Sequence, residues 1–224
     1  MNISDIVAAN FDRSKFETVW HQMFHEQRQL MEKYHDIELR SGANTPAPPW
    51  NINDKFVQWR IKDELWRFTE ELAEADECIQ NLKEGEEYPW GRLAFDRMDD
   101  NAQHFFEEIA DALHFIIEAT IYANLEEPVL ELLRSAFLIE PDLTMVDPFW
   151  SVVSQFGIAA NFLKNKPWKQ TQMLTDERRF KEAWLAGWRA LAEMLMAMMF
   201  NPDTVFSFYI RKVQVNKFRQ ESQY

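Results

Sequence analysis

Apolar residues in this chain recur at intervals of three and four, and strand-like alternation is hard to find. Leu65, Phe68, Leu72, Ala75 and Ile79 form one such run; Ile109, Leu113, Ile116 and Thr120 mark another. A repeat near 3.6 residues places such a series on one helix face, whereas a half-buried strand needs a period of two. Glycine is scarce, at five in 224 residues, and 46% of the chain is hydrophobic. The expected fold is all-α, a bundle of about seven helices in one domain over residues 1–224, a length sufficient for one sizeable core.

Local signals set the expected boundaries. Ser14 followed by Glu17 has the spacing of a capping box and starts a helix over residues 14–35. Three prolines between Thr45 and Trp50 rule out helix there, so residues from about 40 to 52 form a loop. Trp50 reads as a core anchor in preference to a ligand stack, given the area an indole buries. Helices are expected over 53–84, 100–124 and from Pro128 to Leu138, with a turn-rich break at Glu140–Thr144. A further helix, 147–164, is entered at Pro148 and leads into a basic loop, Asn165–Thr175. The helix over 176–200 carries a Met and Trp stripe, the mark of core or of a dimer interface. Pro202 is well placed in the first turn of the last helix.

The chemistry lies in two acidic pairs, Glu71-Leu-Ala-Glu74 and Glu108-Ile-Ala-Asp111. Carboxylates three apart on a helix point the same way. Two such helices side by side converge four carboxylates on one spot, where like charges repel or take up protons. A hard divalent cation resolves that conflict, and Mg²⁺ keeps room for water and phosphate oxygens. Such a site clamps a phosphoryl group and activates a water. A single E-x-x-E is routine in a chain with 37 acidic residues, and surface charge is the simpler account of one pair alone. Position strengthens the metal reading: Glu71 and Glu74 flank an apolar stripe, and Phe115 lies one turn beyond Asp111. His114 reads as a polar core histidine, since oxygen-rich Mg²⁺ sites seldom use imidazole.

Three polar groups are candidates for substrate contact. Gln27, in the run Gln27-Arg28-Gln29, offers an amide that can donate to and accept from a base edge. Trp90 and Arg92, in the loop between the acidic pairs, are candidates for base and phosphate contact. Tyr209, Lys212, Asn216 and Arg219 recur at 3-4-3 spacing, continued by Gln220 and Tyr224, and make a row of donors suited to phosphates. A solvated face is the alternative for each row.

A net charge of −13 argues against holding nucleic acid through phosphate neutralisation. Cys78 is the sole cysteine, so an internal disulfide is excluded and a reducing cytoplasm is the expected location. The N-terminus lacks the pattern of a signal peptide. The most apolar stretch, Ala190–Phe200, carries Glu193 and is too short to span a membrane.

Together, the acidic pairs and the C-terminal row resemble the all-α dimeric dUTPases and their relative the phage dCTP/dUTP pyrophosphatase, within the MazG-like nucleotide pyrophosphatases. That family carries E-x-x-E followed by E-x-x-D, the second often continuing into His-Phe, here His114-Phe115. The run from Tyr209 to Tyr224 is similar to the family block Y-x-x-K-x-x-x-N-x-x-R-Q-x-x-G-Y, with Gln223 in place of the glycine. The resemblance implies Mg²⁺-dependent hydrolysis of a deoxynucleoside triphosphate to monophosphate and pyrophosphate, by a homodimer, in a host cytoplasm if phage-encoded. It implies that Glu71, Glu74, Glu108 and Asp111 hold metal and that Glu71 or Glu74 deprotonates water. Lys212, Asn216 and Arg219 would contact phosphates, and Gln27 matches a uracil-reading glutamine. The chain departs from the family at Met31, where some relatives have asparagine, and at Trp90 and Arg92, which stand alone where relatives have Trp-Lys-x-Trp-Lys. dUTP is the favoured substrate, with dCTP next. A pyrophosphatase for dTTP or a purine nucleotide, or a non-catalytic helical interaction protein, are the alternatives.

Overall fold

The computed structural model describes residues 13–42, 45–82, 99–136, 147–198 and 202–221. These residues contain seven helices and no strand: α1 (Arg13–Ser41), α2 (Lys55–Gln80), α3 (Asp100–Tyr122), α4 (Glu126–Ala136), α5 (Pro148–Ala160), α6 (Glu177–Ala197) and α7 (Pro202–Glu221). The all-α expectation is met, and most boundaries fall within a few residues of those expected.

Aspartates start four of the helices. Asp54, Asp99, Asp147 and Asp176 each accept a hydrogen bond from a first-turn backbone N–H, satisfying a donor that has no partner inside the helix. The largest error of boundary is in α1, which runs six residues past 35 to Ser41. Nothing before Gly42 forces an end. Gly42 then takes φ +82, a left-handed conformation that closes a helix at little cost for glycine, and its N–H reaches Leu39 O at 3.2 Å. Ser14 lies inside α1, not in front of it.

α2 and α3 share the most extensive interface, followed by α5 and α6. Leu65, Phe68, Leu72 and Ala75 of α2 are buried, as are Ile109, Leu113, Ile116 and Thr120 of α3, so both apolar stripes meet the core. Trp184 and Trp188 of α6 are fully buried, and their indole N–H groups donate to Thr120 Oγ1 at 3.2 and 2.9 Å. The Thr120 hydroxyl donates in turn to Ile116 O at 2.7 Å, which uses its whole hydrogen-bonding capacity. Trp188 also meets Trp20 of α1 edge-on, with ring centres 5.8 Å apart. Trp184, Trp188, Met194 and Leu195 of the Met and Trp stripe are core, inside the fold. α5 and α6 approach closely at Gly187, where a Cβ would stand 2.6 Å from the Phe156 ring.

α7 packs on α1 and α3. Phe208, Tyr209 and Val213 are buried, with Phe208 stacked on Phe106 at 5.2 Å. Trp50 anchors its loop as expected: half-buried, it donates to Pro46 O at 3.0 Å and meets Tyr122 edge-on at 5.0 Å.

Candidate active site

The site is built on the seam between α2 and α3. On α2, Arg60, Glu64, Arg67, Glu71 and Glu74 are spaced 4-3-4-3; on α3, His104, Glu108, Asp111, Phe115 and Glu118 are spaced 4-3-4-3. Each set occupies one helix face. The helices run antiparallel, so the two rows meet in reverse order. Arg60 touches Glu118, the Arg67 guanidinium lies over the Phe115 ring at 5.8 Å, Glu71 gathers with Glu108 and Asp111, and Glu74 with His104 and Glu108.

At the acidic end, Glu71, Glu108 and Asp111 offer oxygen atoms all within 4.8 Å of one another, and Glu74, His104 and Glu108 form a second such group. The four acidic residues singled out by their spacing are thus brought together, with Glu108 common to both groups. Glu108 is buried, Glu71 and Asp111 are half-buried, and Glu74 is exposed at the rim. His104 Nδ1 is 2.9 Å from Glu108 Oε1. It lies one turn before Glu108, a spacing that could have identified it from the sequence.

The electrostatics reflect crowding of like charge. Burial, a hydrogen bond to Glu108 and the charges of Asp111, Glu108 and Glu74 push the Glu71 carboxyl up to about 8. Glu108 and Asp111 are also raised, chiefly by burial. The hydrogen bond between them raises the Glu71 carboxyl and works against the rise at Glu108. Three raised carboxyls within reach of a single point are a donor set suited to a hard cation, which would replace the proton.

The C-terminal row divides. Lys212 pairs with Asp111, and the charge of Arg219 also favours the Asp111 carboxylate. Asn216 is half-exposed and Arg219 exposed on the same helix. Tyr209 behaves otherwise than expected for a phosphate contact: it is fully buried, and its hydroxyl donates toward Gln27 Oε1 at 3.0 Å and Met23 O at 3.2 Å. Three residues of helix carry it some 60° around from Lys212, enough to turn it into the core. Gln220 lies in α7 with its side chain outside the described residues, as do Trp90, Arg92 and Tyr224 altogether.

Gln27 is also buried, at 2% exposure, and sits in a network that the sequence did not disclose. Its Nε2 donates to Glu118 Oε2 at 2.9 Å, and its Oε1 lies 2.7 Å from His114 Nδ1. His114 stacks on Tyr209 with ring centres 3.9 Å apart, and burial lowers its pKa to about 3, so it is neutral. Thus His114 is a core histidine and stands outside the acidic groups. Arg60 meets Glu38 at 3.0 Å, Glu64 at 2.8 Å and Glu118 at 3.1 Å. Burial works against that charge, but Glu64, Glu118, Tyr122 and Glu38 more than offset it and raise the guanidinium pKa. Glu64 is itself pushed well up by burial and by Glu118. The signal for Glu64 and Glu118 was their position seven residues from Glu71 and Asp111, two turns along the same faces.

A family model described as dUTPase matches residues 19–224, nearly the whole chain. No curated protein and no solved structure matches it. No described helix is long and apolar enough to cross a membrane.

Proposed function

The chain belongs to the dUTPase family, and on that premise we propose that it is a Mg²⁺-dependent hydrolase that cuts a deoxynucleoside triphosphate, dUTP first, to the monophosphate and pyrophosphate. The observation that carries this reading is the convergence of Glu71, Glu108 and Asp111 from two helices, with Glu74 beside them. The carboxylate oxygens of Glu71, Glu108 and Asp111, all with raised pKa, match the preference of Mg²⁺ over softer metals. When bound there, the ion would neutralise phosphate charge and lower the pKa of water.

The residues have distinct parts. Glu71, Glu108 and Asp111 hold the cation. Glu74, exposed at the rim beside His104 and Glu108, accepts the proton of the attacking water, with Glu71 as the nearest second acceptor. Lys212 holds Asp111 in place and stands ready for a phosphate oxygen; Asn216 and Arg219 extend that donor row along α7. Water adds across the phosphoanhydride between the α- and β-phosphorus, so monophosphate and pyrophosphate leave. The protein acts as a homodimer and makes no use of nucleic acid or membrane.

The test is a panel of the common deoxy- and ribonucleoside triphosphates, with Mg²⁺ and with EDTA, in which monophosphate and pyrophosphate are counted. Release of pyrophosphate from dUTP in Mg²⁺ alone is expected. No Mg²⁺-dependent turnover of any substrate would leave a helical interaction protein with acidic surface pairs.

Metal binding has an independent thermal signature. The Glu71 pKa in the folded protein, about 8, exceeds its ordinary value of 4.5, so folding favours the protonated form. Its contribution to stability is complete below about 4.5 and is lost as pH rises through about 8. In EDTA the melting temperature should therefore fall across that window, modestly because Glu71 is half-exposed. Mg²⁺ should raise the melting temperature most at the alkaline end. A curve flat in EDTA and indifferent to Mg²⁺ would rule out the acidic quartet as a cation site.

A further inference from the structure

The loop between α5 and α6 is basic, and the proposed reaction makes no use of it. Residues 161–175 carry Lys164, Lys166 and Lys169 and no acidic residue, in a chain whose net charge is −13. Lys62 of α2 joins them: its Nζ donates to Leu163 O at 2.7 Å, which sets a fourth ammonium against the loop. Burial, and then the charges of Lys166, Lys164 and Lys169, lower the Lys62 pKa. Among the described residues, no ion pair with a carboxylate offsets that repulsion.

A buried network holds the loop in place. Asn165, between Lys164 and Lys166, is 3% exposed. Its N–H donates to Gln58 Oε1 at 2.7 Å and its Nδ2 to Asn53 O and Met173 O at 2.9 and 2.8 Å, while its Oδ1 accepts from Met173 N at 2.7 Å. Gln58 is buried too and donates to Ile52 O and Thr175 Oγ1, each at 2.7 Å. Beyond Asn165 the chain turns, with the Lys169 N–H donating to Lys166 O at 3.0 Å and Pro167 at the second position, where its fixed φ suits a turn. The turn presents Trp168 at 72% exposure, with the Lys166 ammonium 5.2 Å from its ring centre. Like charges are thus assembled on a backbone already fixed, which leaves less ordering to be done when an anion arrives.

We propose that Lys62, Lys164, Lys166, Lys169 and Trp168 form a docking surface for an acidic segment of a partner protein, whose carboxylates meet the lysines and whose apolar side chain covers the indole. Exposed tryptophan is characteristic of protein interfaces. Charges act over about 8 Å at physiological salt, so a short acidic segment feels the four lysines in preference to the net charge of the chain. A polynucleotide carries a charge on every phosphate and would run beyond the patch onto a surface that is acidic overall. Lys62 and Glu71 are nine residues apart on α2, about 180° around the helix, so a partner seated here leaves the acidic quartet open. The inference stands independently of the hydrolysis proposed above.

The test measures binding of a short fluorescein-labelled peptide of glutamates around one tryptophan, by anisotropy, to the full chain. The wild type should bind, and more weakly as salt rises. Lys166→Glu with Lys169→Glu should weaken binding by roughly tenfold or more, since two attractions become repulsions, and Trp168→Ala should weaken it less. Arg178→Glu with Lys181→Glu, an equal change of charge on the exposed start of α6, is the control and should bind as the wild type does. Circular dichroism should be unchanged throughout, because every substituted side chain is exposed. Absence of peptide binding at low salt would overturn the proposal, as would equal loss in the control pair. Tighter binding of oligothymidylate, lost in the same loop variants, would make the patch a nucleic-acid surface and overturn it. A fall from dimer to monomer by light scattering in the loop variants would assign the patch to a second copy of this chain and overturn it equally.

Discussion

Asp111→Asn will lower turnover by about a thousandfold while leaving helix content unchanged. Asparagine keeps the shape of the side chain but removes the charge that pairs with Lys212 and that would hold a cation beside Glu71 and Glu108. Metal-ion stabilisation of a phosphoryl transition state contributes several kcal/mol; about 4 kcal/mol corresponds to three powers of ten in rate. Lys212 also loses its carboxylate partner, and α7 loses one of its ties to α3. Steady-state release of pyrophosphate, beside circular dichroism of the same preparation, measures both. Activity within tenfold of the wild type would remove Asp111 from the site.

Trp188→Ala will cost about 3–5 kcal/mol of stability, the range for emptying the place of a large buried aromatic. Trp188 is fully buried, packs on Trp20 and Phe24, and donates to Thr120 Oγ1. Its loss opens a cavity where α1, α3 and α6 meet. A domain has only about 5–15 kcal/mol in total, so the variant should unfold at much lower denaturant. Trp150→Ala, at a site 65% exposed, is the control and should change stability by no more than about 0.5 kcal/mol. Urea titrations of both variants give the comparison; a loss under about 1 kcal/mol at Trp188 would contradict the packing described.

The contrast between those two tryptophans shows what the sequence could and could not disclose. Apolar spacing is a local property, so the inward faces of α2 and α3 were legible from it, and the four aspartate caps lie at the expected starts. Spacing says that a face is covered but not by what. For that reason the stripe on α6 could be read as core or as interface until Trp184 and Trp188 were found against Thr120. The acidic quartet was legible because each pair repeats at a helical interval that needs only one partner helix. The buried network around Gln27 was not: Gln27 and Glu118 are 91 positions apart, and their contact depends on how the helices pack. Tyr209 shows a subtler limit, since residues three apart share a neighbourhood without sharing an environment. Lys212 reaches the quartet while Tyr209 is sealed beneath Gln27.

The antiparallel seam also bears on how such a chain can change length. Its two ends are tied by helical phase. One residue inserted between Glu64 and Glu71 would turn everything on one side by about 100° relative to the other. Arg60 and Glu64 could then no longer meet Glu118 while Glu71 met Asp111. The same holds between Asp111 and Glu118 on α3. Substitutions can be absorbed one side chain at a time, but an insertion or deletion here breaks both ends at once. The helical phase therefore tolerates changes of residue within this stretch and leaves room for gains or losses of length only in the connections between helices.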